Sequence, residues 1–229
     1  MIVSAPPAIV FDATGTLIQA TESVGEVYHR VALQHGVDLP AWRIEDAFRR
    51  VLRHAPIRGV EGDGAAGRRA GEIQWWVERI RQTFQATDST ARFDDFPRFA
   101  HSLFEAYRAP GAWQLRPGIR EVLQSLRDRQ IPLGVISNFD HRLPEILDHI
   151  EIIHFFCFIE IPSNSGQVKP DPRLFEAAAD RLDRSLSGLM YVGDDPPERL
   201  DRIASLGVRV VDIRKSTERP LLDRLFPAD

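Results

Sequence analysis

This 229-residue chain has one cysteine and two lysines, and no long apolar run. Cys157 cannot form an internal disulfide, and its place in Phe155-Phe156-Cys157-Phe158 predicts a small buried hydrophobe rather than a catalytic thiol. No stretch approaches the roughly 18 apolar residues that span a bilayer, so a membrane role is not expected. Met1 to Pro7 lack a basic region followed by an apolar stretch and a cleavage site, and the reading is a cytoplasmic protein. There is no excess of basic charge either: 29 basic residues face 33 acidic ones for a net −4. The charges are interspersed rather than blocked, so nucleic acid is not the expected partner. Lysine scarcity is sharper still, because only Lys169 and Lys215 are lysines and the other 27 basic residues are arginines.

The composition, 43% hydrophobic and 27% charged, is that of an ordinary globular protein long enough for a real core. Short apolar runs at Ala8 to Phe11, Pro132 to Ile136, Leu189 to Val192 and Val208 to Ile213 read as buried strands. Between them lie amphipathic helices. Gly118 to Gln130 places Ile119, Val122, Leu123 and Leu126 at i, i+3, i+4 and i+7, and Pro172 to Leu182 repeats the pattern with Leu174, Phe175, Ala178 and Leu182. Alternation of this kind predicts a doubly wound α/β fold, a parallel sheet covered on both faces.

Residues 18–113 interrupt the alternation with helical patterning, no strand signal and all four tryptophans, including Trp75-Trp76. Connections in such folds run only a few residues, so this excursion predicts a separate helical module over 18–113, inserted into a core of 1–17 and 114–229. Gly59, Gly62, Gly64, Gly67 and Gly71, with Arg68 and Arg69, predict a flexible loop between its helices. The alternative for that loop is contact with substrate.

In open α/β sheets ligands bind beyond the carboxyl ends of the strands. Three ends carry polar groups: Asp12, Thr14 and Thr16 after the first strand, Ser137 and Asn138 after the second, Asp194 and Asp195 after the third. Singly, each has an ordinary explanation as a turn former or cap. Jointly they aim carboxylates, hydroxyls and an amide at one sheet edge, where a buried carboxylate must be paired or bound to metal.

Ile9-Val10-Phe11-Asp12-Ala13-Thr14-Gly15-Thr16-Leu17 resembles the first signature of the haloacid dehalogenase superfamily, an apolar strand followed by Asp-x-Asp-Gly-Thr. Val135-Ile136-Ser137-Asn138 resembles the second signature, Lys169-Pro170-Asp171-Pro172 the third and Val192-Gly193-Asp194-Asp195 the fourth. Gly25-Glu26-Val27-Tyr28, Gln74-Trp75-Trp76 and Ile136-Ser137-Asn138-Phe139-Asp140 are similar to the branch with a helical cap that includes the rhythmically expressed insect proteins.

This resemblance implies a Rossmann-like core with an inserted cap, and a hydrolase acting on a small phosphorylated metabolite. Asp12 would attack phosphorus and form an aspartyl-phosphate that water cleaves. Magnesium would be held by Asp12, the Thr14 carbonyl, Asp194 and, directly or through water, Asp195. Ser137, with Thr16 and Asn138, would bind the phosphoryl group, and Asn138 would also hold its loop's backbone. Lys169 would neutralise developing charge and steady Asp12, a role that suits a compact ammonium in a chain otherwise built on arginine. Asp171 would cap the helix beginning near Pro172.

Two positions depart from the family pattern. Thr14 stands where phosphatases of the superfamily carry an acid/base aspartate, which predicts slow turnover. Arg199 stands where many relatives carry a second aspartate of the fourth signature. Three other readings compete with a phosphatase. A non-catalytic module binding phosphorylated ligands or proteins would explain Thr14 and Arg199. A 2-haloacid dehalogenase would lack the acidic Gly-Asp of the fourth signature, which is present here. A phosphonatase needs a cap lysine, and residues 18–113 contain none. Glu22, Tyr28, Arg68, Arg69, Trp75 and Trp76 are the cap positions that could contact substrate, with core packing the alternative for the tryptophans.

Overall fold

The computed structural model describes residues 7–56, 58, 62–215 and 220–226. The chain divides into two compact units, one of Met1–Gln19 with Leu115–Asp229 and the other of Ala20–Gln114. The first elements are β1 (Ala8–Phe11) and β2 (Ile18–Ala20), then helices α1 (Val24–Gln34), α2 (Ala41–Arg53), α3 (Gly64–Thr87) and α4 (Phe96–Ala106). The chain continues through β3 (Trp113–Leu115), α5 (Ile119–Asp128), β4 (Leu133–Ile136), α6 (Leu143–His149), β5 (Phe158–Glu160) and α7 (Pro162–Ser165). It ends with α8 (Pro172–Arg181), β6 (Leu189–Gly193), α9 (Pro197–Ala204), β7 (Arg209–Asp212) and α10 (Leu221–Leu225).

Five strands form one sheet in the order β5-β4-β1-β6-β7, each paired in parallel with its neighbours. β1, β4 and β6 are buried along their whole length, which is why they read as unbroken apolar runs. Flanking helices turn their apolar stripes to the sheet: Ile119, Val122, Leu123 and Leu126 of α5, and Leu174, Phe175 and Ala178 of α8, are all buried. This is the doubly wound α/β architecture expected from the alternation.

The Ala20–Gln114 unit has its own core, in which Tyr28, Ile44, Ile80, Phe84, Phe99 and Leu103 are buried together. Phe93 stacks on Phe99 with ring centroids 4.0 Å apart, and Phe84 meets Phe99 edge-on at 5.0 Å. Ser23 and Glu26 cap α1 reciprocally. Gly25 lets α2 approach closely, since a Cβ there would stand 2.2 Å from the Ala41 carbonyl oxygen.

Four sequence expectations are corrected. The excursion is not free of strands, because β2 and β3 pair as a small two-stranded sheet, too short for any periodicity to register. The glycine-rich break is only partly a loop: Gly64, Gly67 and Gly71 lie within α3, where Ala65, Ala66, Ala70 and the arginines are strong enough helix formers to absorb about 1 kcal/mol per glycine. Gly59 lies outside the described residues. Cys157 is exposed, not buried. It immediately precedes the edge strand β5, which the sequence reading also missed, and its amide is used by the Leu133 carbonyl at 2.8 Å. Tyr28 is 3% exposed in the helical core rather than a surface contact.

Candidate active site

The register of β1 against its neighbours sets the site. Phe11 is level with Val135 of β4 and Val192 of β6, so Asp12, Ser137 and Gly193-Asp194 emerge side by side at the carboxyl edge. The chain runs from β1 through β4 to β5 on one side and returns to β6 and β7 on the other, so this edge is a topological switch point.

Asp12 is 8% exposed and held through one oxygen. Its Oδ1 accepts the Ala13 amide at 2.7 Å and forms an ion pair with Lys169 Nζ at 2.9 Å. Among the described residues nothing hydrogen-bonds Oδ2. Lys169, itself buried, donates to the Tyr191 hydroxyl at 2.6 Å and to Asp195 Oδ2 at 2.9 Å. Asp195 also accepts the Tyr191 hydroxyl through Oδ2 and Arg199 through Oδ1 at 2.7 Å. Burial alone would raise the Asp195 carboxyl, but the Lys169 charge and the hydrogen bonds from Tyr191, Arg199 and Lys169 bring it below the ordinary carboxylate range. Burial, then the Asp12 and Asp195 charges, push the Tyr191 phenol well above its usual value, so it stays protonated.

Asp194 has the opposite environment. It is half-buried, and among the described residues its one hydrogen-bond donor from another residue is the Thr16 hydroxyl, 3.2 Å from Oδ1. Burial and then the neighbouring Asp12 raise its carboxyl above the ordinary range, with Thr16 opposing. Asp12 and Asp194 are therefore neighbouring carboxylates in unequal surroundings: Asp12 is ion-paired directly with Lys169, whereas Asp194 has no direct ion pair among the described residues and feels Arg214 only at longer range. Gly15 permits this closeness: its φ is +77°, and a Cβ there would fall 2.0 Å from Asp194 Oδ2. The Arg116 guanidinium donates to the Gly15 carbonyl and braces the same turn.

The other expected positions divide. Ser137 is buried, and its Oγ accepts the Phe139 amide at 3.3 Å. Thr14 is exposed on the turn. Thr16, expected at the phosphate, is fully buried and turned to Asp194. Asn138, also expected there, accepts the Lys169 amide at 2.7 Å and donates to the Lys169 carbonyl at 3.3 Å, a two-point clamp on that backbone. Asp195, expected among the metal ligands, has both oxygens engaged by cationic or phenolic donors. Asp171 caps α8 by accepting the Arg173 amide. Within the Ala20–Gln114 unit, Glu22 pairs with Arg30 at 2.7 Å, and Trp75 and Trp76 are half-buried, edge-on to each other at 5.0 Å. Arg68 and Arg69 lie on α3.

Tyr191 went unnoticed in the sequence because a tyrosine in an apolar strand reads as core. The available signal was its position two residues before Gly193, on the same face of the strand.

A parallel switch-point sheet with an acidic residue at the end of its first strand and a lysine ion-paired to it defines a hydrolase of the haloacid dehalogenase type. The family model for haloacid dehalogenase-like hydrolases matches residues 6–199, and the chain belongs to that family. It is 32% identical over 186 residues to haloacid dehalogenase-like hydrolase domain-containing protein 3 of Mus musculus, covering 81% of this chain and 73% of that protein. It is 28% identical to the rhythmically expressed gene 2 protein of Drosophila melanogaster, covering 82% of this chain and 75% of that one. Matches to the Bos taurus, Mus musculus and Danio rerio forms of domain-containing protein 3 span 66% to 82% of their length. Among solved structures, an L-2-haloacid dehalogenase superposes with a TM-score of 0.69 at 17% identity, covering 95% of this chain and 90% of that one. A likeness at that identity speaks for the fold alone.

Proposed function

We propose that the protein is a slow, magnesium-dependent phosphatase of a small phosphomonoester, working in the cytoplasm through an aspartyl-phosphate on Asp12. The observation that carries this reading is the pairing of a fixed nucleophile with a second carboxylate, Asp194, that lacks a direct ion pair among the described residues and is raised by burial and by Asp12. Asp12 is anchored through Oδ1, so Oδ2 is the oxygen presented for attack.

Magnesium fits the donor set. Among the described residues no cluster of three or more His, Cys, Asp or Glu side chains could cage a metal, which disfavours an all-protein site. Magnesium keeps several waters and takes one or two carboxylates, and here Asp12, Asp194 and the Thr14 carbonyl would hold it. When bound it would supply positive charge to the transferring group and offset the burial and the Asp12 charge that together raise Asp194.

In the forward step Asp12 Oδ2 forms a bond to phosphorus as the bond from phosphorus to the substrate's ester oxygen breaks. The Ser137 hydroxyl would donate to a phosphoryl oxygen, and the Lys169 charge would stabilise the transfer through Asp12. The leaving oxygen takes its proton from water, because Thr14 has no acidic proton to give. Water then attacks phosphorus, the bond to Asp12 breaks, and inorganic phosphate and free carboxylate result. Lacking a positioned general acid/base costs about 10² to 10⁴ in rate.

The test is magnesium-dependent phosphate release from a panel of small phosphomonoesters by native protein, Asp12→Asn and Thr14→Asp. Turnover that requires magnesium and vanishes in Asp12→Asn supports the reading. Silence of both native protein and Thr14→Asp rejects it in favour of a module that binds phosphorylated ligands without turnover. Halide release from 2-haloacids without magnesium would instead make it a dehalogenase, a reading disfavoured by the acidic Asp194 beside the nucleophile.

A further inference from the structure

We infer that Tyr191 is a positioning residue that sets the Lys169 ammonium against Asp12, and that Gly193 is a glycine so that the phenol can lie there. The role is defined within the phosphoryl-transfer reading above and goes beyond it by assigning work to a strand residue.

Three oxygens surround Lys169 Nζ, those of Tyr191 at 2.6 Å, Asp195 at 2.9 Å and Asp12 at 2.9 Å. An ammonium has three N–H bonds, and the two hydrogen bonds to Tyr191 and Asp195 fix where it stands relative to the Asp12 ion pair. Tyr191 serves both neighbours, accepting from Lys169 and donating its own proton to Asp195. Asp195 could not do this alone, because Arg199 draws on its other oxygen. With the hydroxyl removed, the flexible four-carbon arm of Lys169 keeps its charge but is tethered only by carboxylates that Arg199 and the metal site also claim.

The phenol reaches the carboxyl edge because of what lies beside its ring. Tyr191 and Gly193 share one face of β6, and a Cβ on Gly193 would stand 2.7 Å from Tyr191 Cε1 and 3.0 Å from the hydroxyl oxygen. Phe175 of α8 meets the ring edge-on at 5.6 Å. Tyr191 is fully buried between these constraints, so its hydroxyl has one place to be.

The chain's two lysines make the test clean. Lys215 is exposed and should exchange its amine protons quickly, whereas Lys169 is 3% exposed. In ¹⁵N-lysine NMR the native protein should show one slowly exchanging ammonium, with a nuclear Overhauser contact to a tyrosine ring. Tyr191→Phe and Gly193→Ala, the second keeping the phenol but displacing it, should each lose that slow signal. In turnover assays Tyr191→Phe should lower kcat about tenfold, the effect of one hydrogen bond to a charged group, with KM nearly unchanged. A native ammonium without the tyrosine contact, or an equally protected ammonium in folded Tyr191→Phe, overturns the inference. Should Tyr191→Phe fail to fold, the native contact decides. Should the native protein release no phosphate, the phosphatase reading falls while the NMR comparison still judges Tyr191.

Discussion

Asp194 and Asp195 are adjacent in sequence and opposite in electrostatic character. Asp195 is compensated by Lys169, Tyr191 and Arg199 and titrates low, while Asp194 is raised by burial and by Asp12. A group whose folded pKa is raised binds more protons folded than unfolded, so above that pKa it costs stability. Asp194→Asn should therefore raise the melting temperature at neutral pH by about 1–3 °C, a modest figure because the half-exposed carboxylate is screened. The same variant should lose the magnesium dependence of phosphate release. A melting temperature that falls would show that Asp194 is already compensated in the folded protein. Asp195 behaves in reverse: its contribution is present above its ordinary value of 3.8 and is lost as pH falls below that, through the lowered folded value. Thr14→Asp should raise turnover about 10²-fold if restoring the acid/base is sufficient, measured as kcat on the best substrate of the panel. An unchanged kcat would place the slow step elsewhere.

At the scale of elements, β1, β4 and β6 were legible because strands buried on both faces write themselves as apolar runs, and the partly buried edge strand β7 was legible because it lies within the run Val208 to Ile213. The edge strand β5 and the pair β2 and β3 have three residues each, fewer than a period-2 pattern needs to declare itself. α3 was obscured by glycines that a long helix can carry. The strand-end residues Asp12, Ser137 and Asp194 were legible from their position after those runs. Lys169 beside Asp12 was expected from the family resemblance, but the remaining partners were not legible, because a hydrogen bond between Asn138 and the backbone of Lys169, or Tyr191 reaching across to Asp195, joins positions that only folding brings together. Close approach leaves a testable trace in the helices too. Gly25→Ala would drive a methyl against the Ala41 carbonyl, forcing α1 from α2 at a cost of about 1–3 kcal/mol. Thermal unfolding should fall by about 2–12 °C, and a value unchanged from native would mean the helices can separate freely.

For the whole molecule, the choice of arginine over lysine turns a composition bias into a measurement of stability. Of two lysines, one is exposed and the other is buried at the junction of β1, β6 and the loop before α8. That loop is held by Asn138 at its backbone and by Asp12, Tyr191 and Asp195 at its side chain, so exposing Lys169 requires the sheet edge itself to open. A buried charge with these partners has no inexpensive local escape. Acetylation by an amine-reactive ester, followed by mass spectrometry, should therefore label Lys215 within minutes and leave Lys169 unlabelled in native buffer. Across a urea series, labelling of Lys169 should rise with the same midpoint as the loss of circular dichroism from the α/β unit. Labelling of Lys169 well below that midpoint would mean that the site breathes independently of the sheet, and the rigid anchoring of Asp12 argued from its neighbours would not hold in solution.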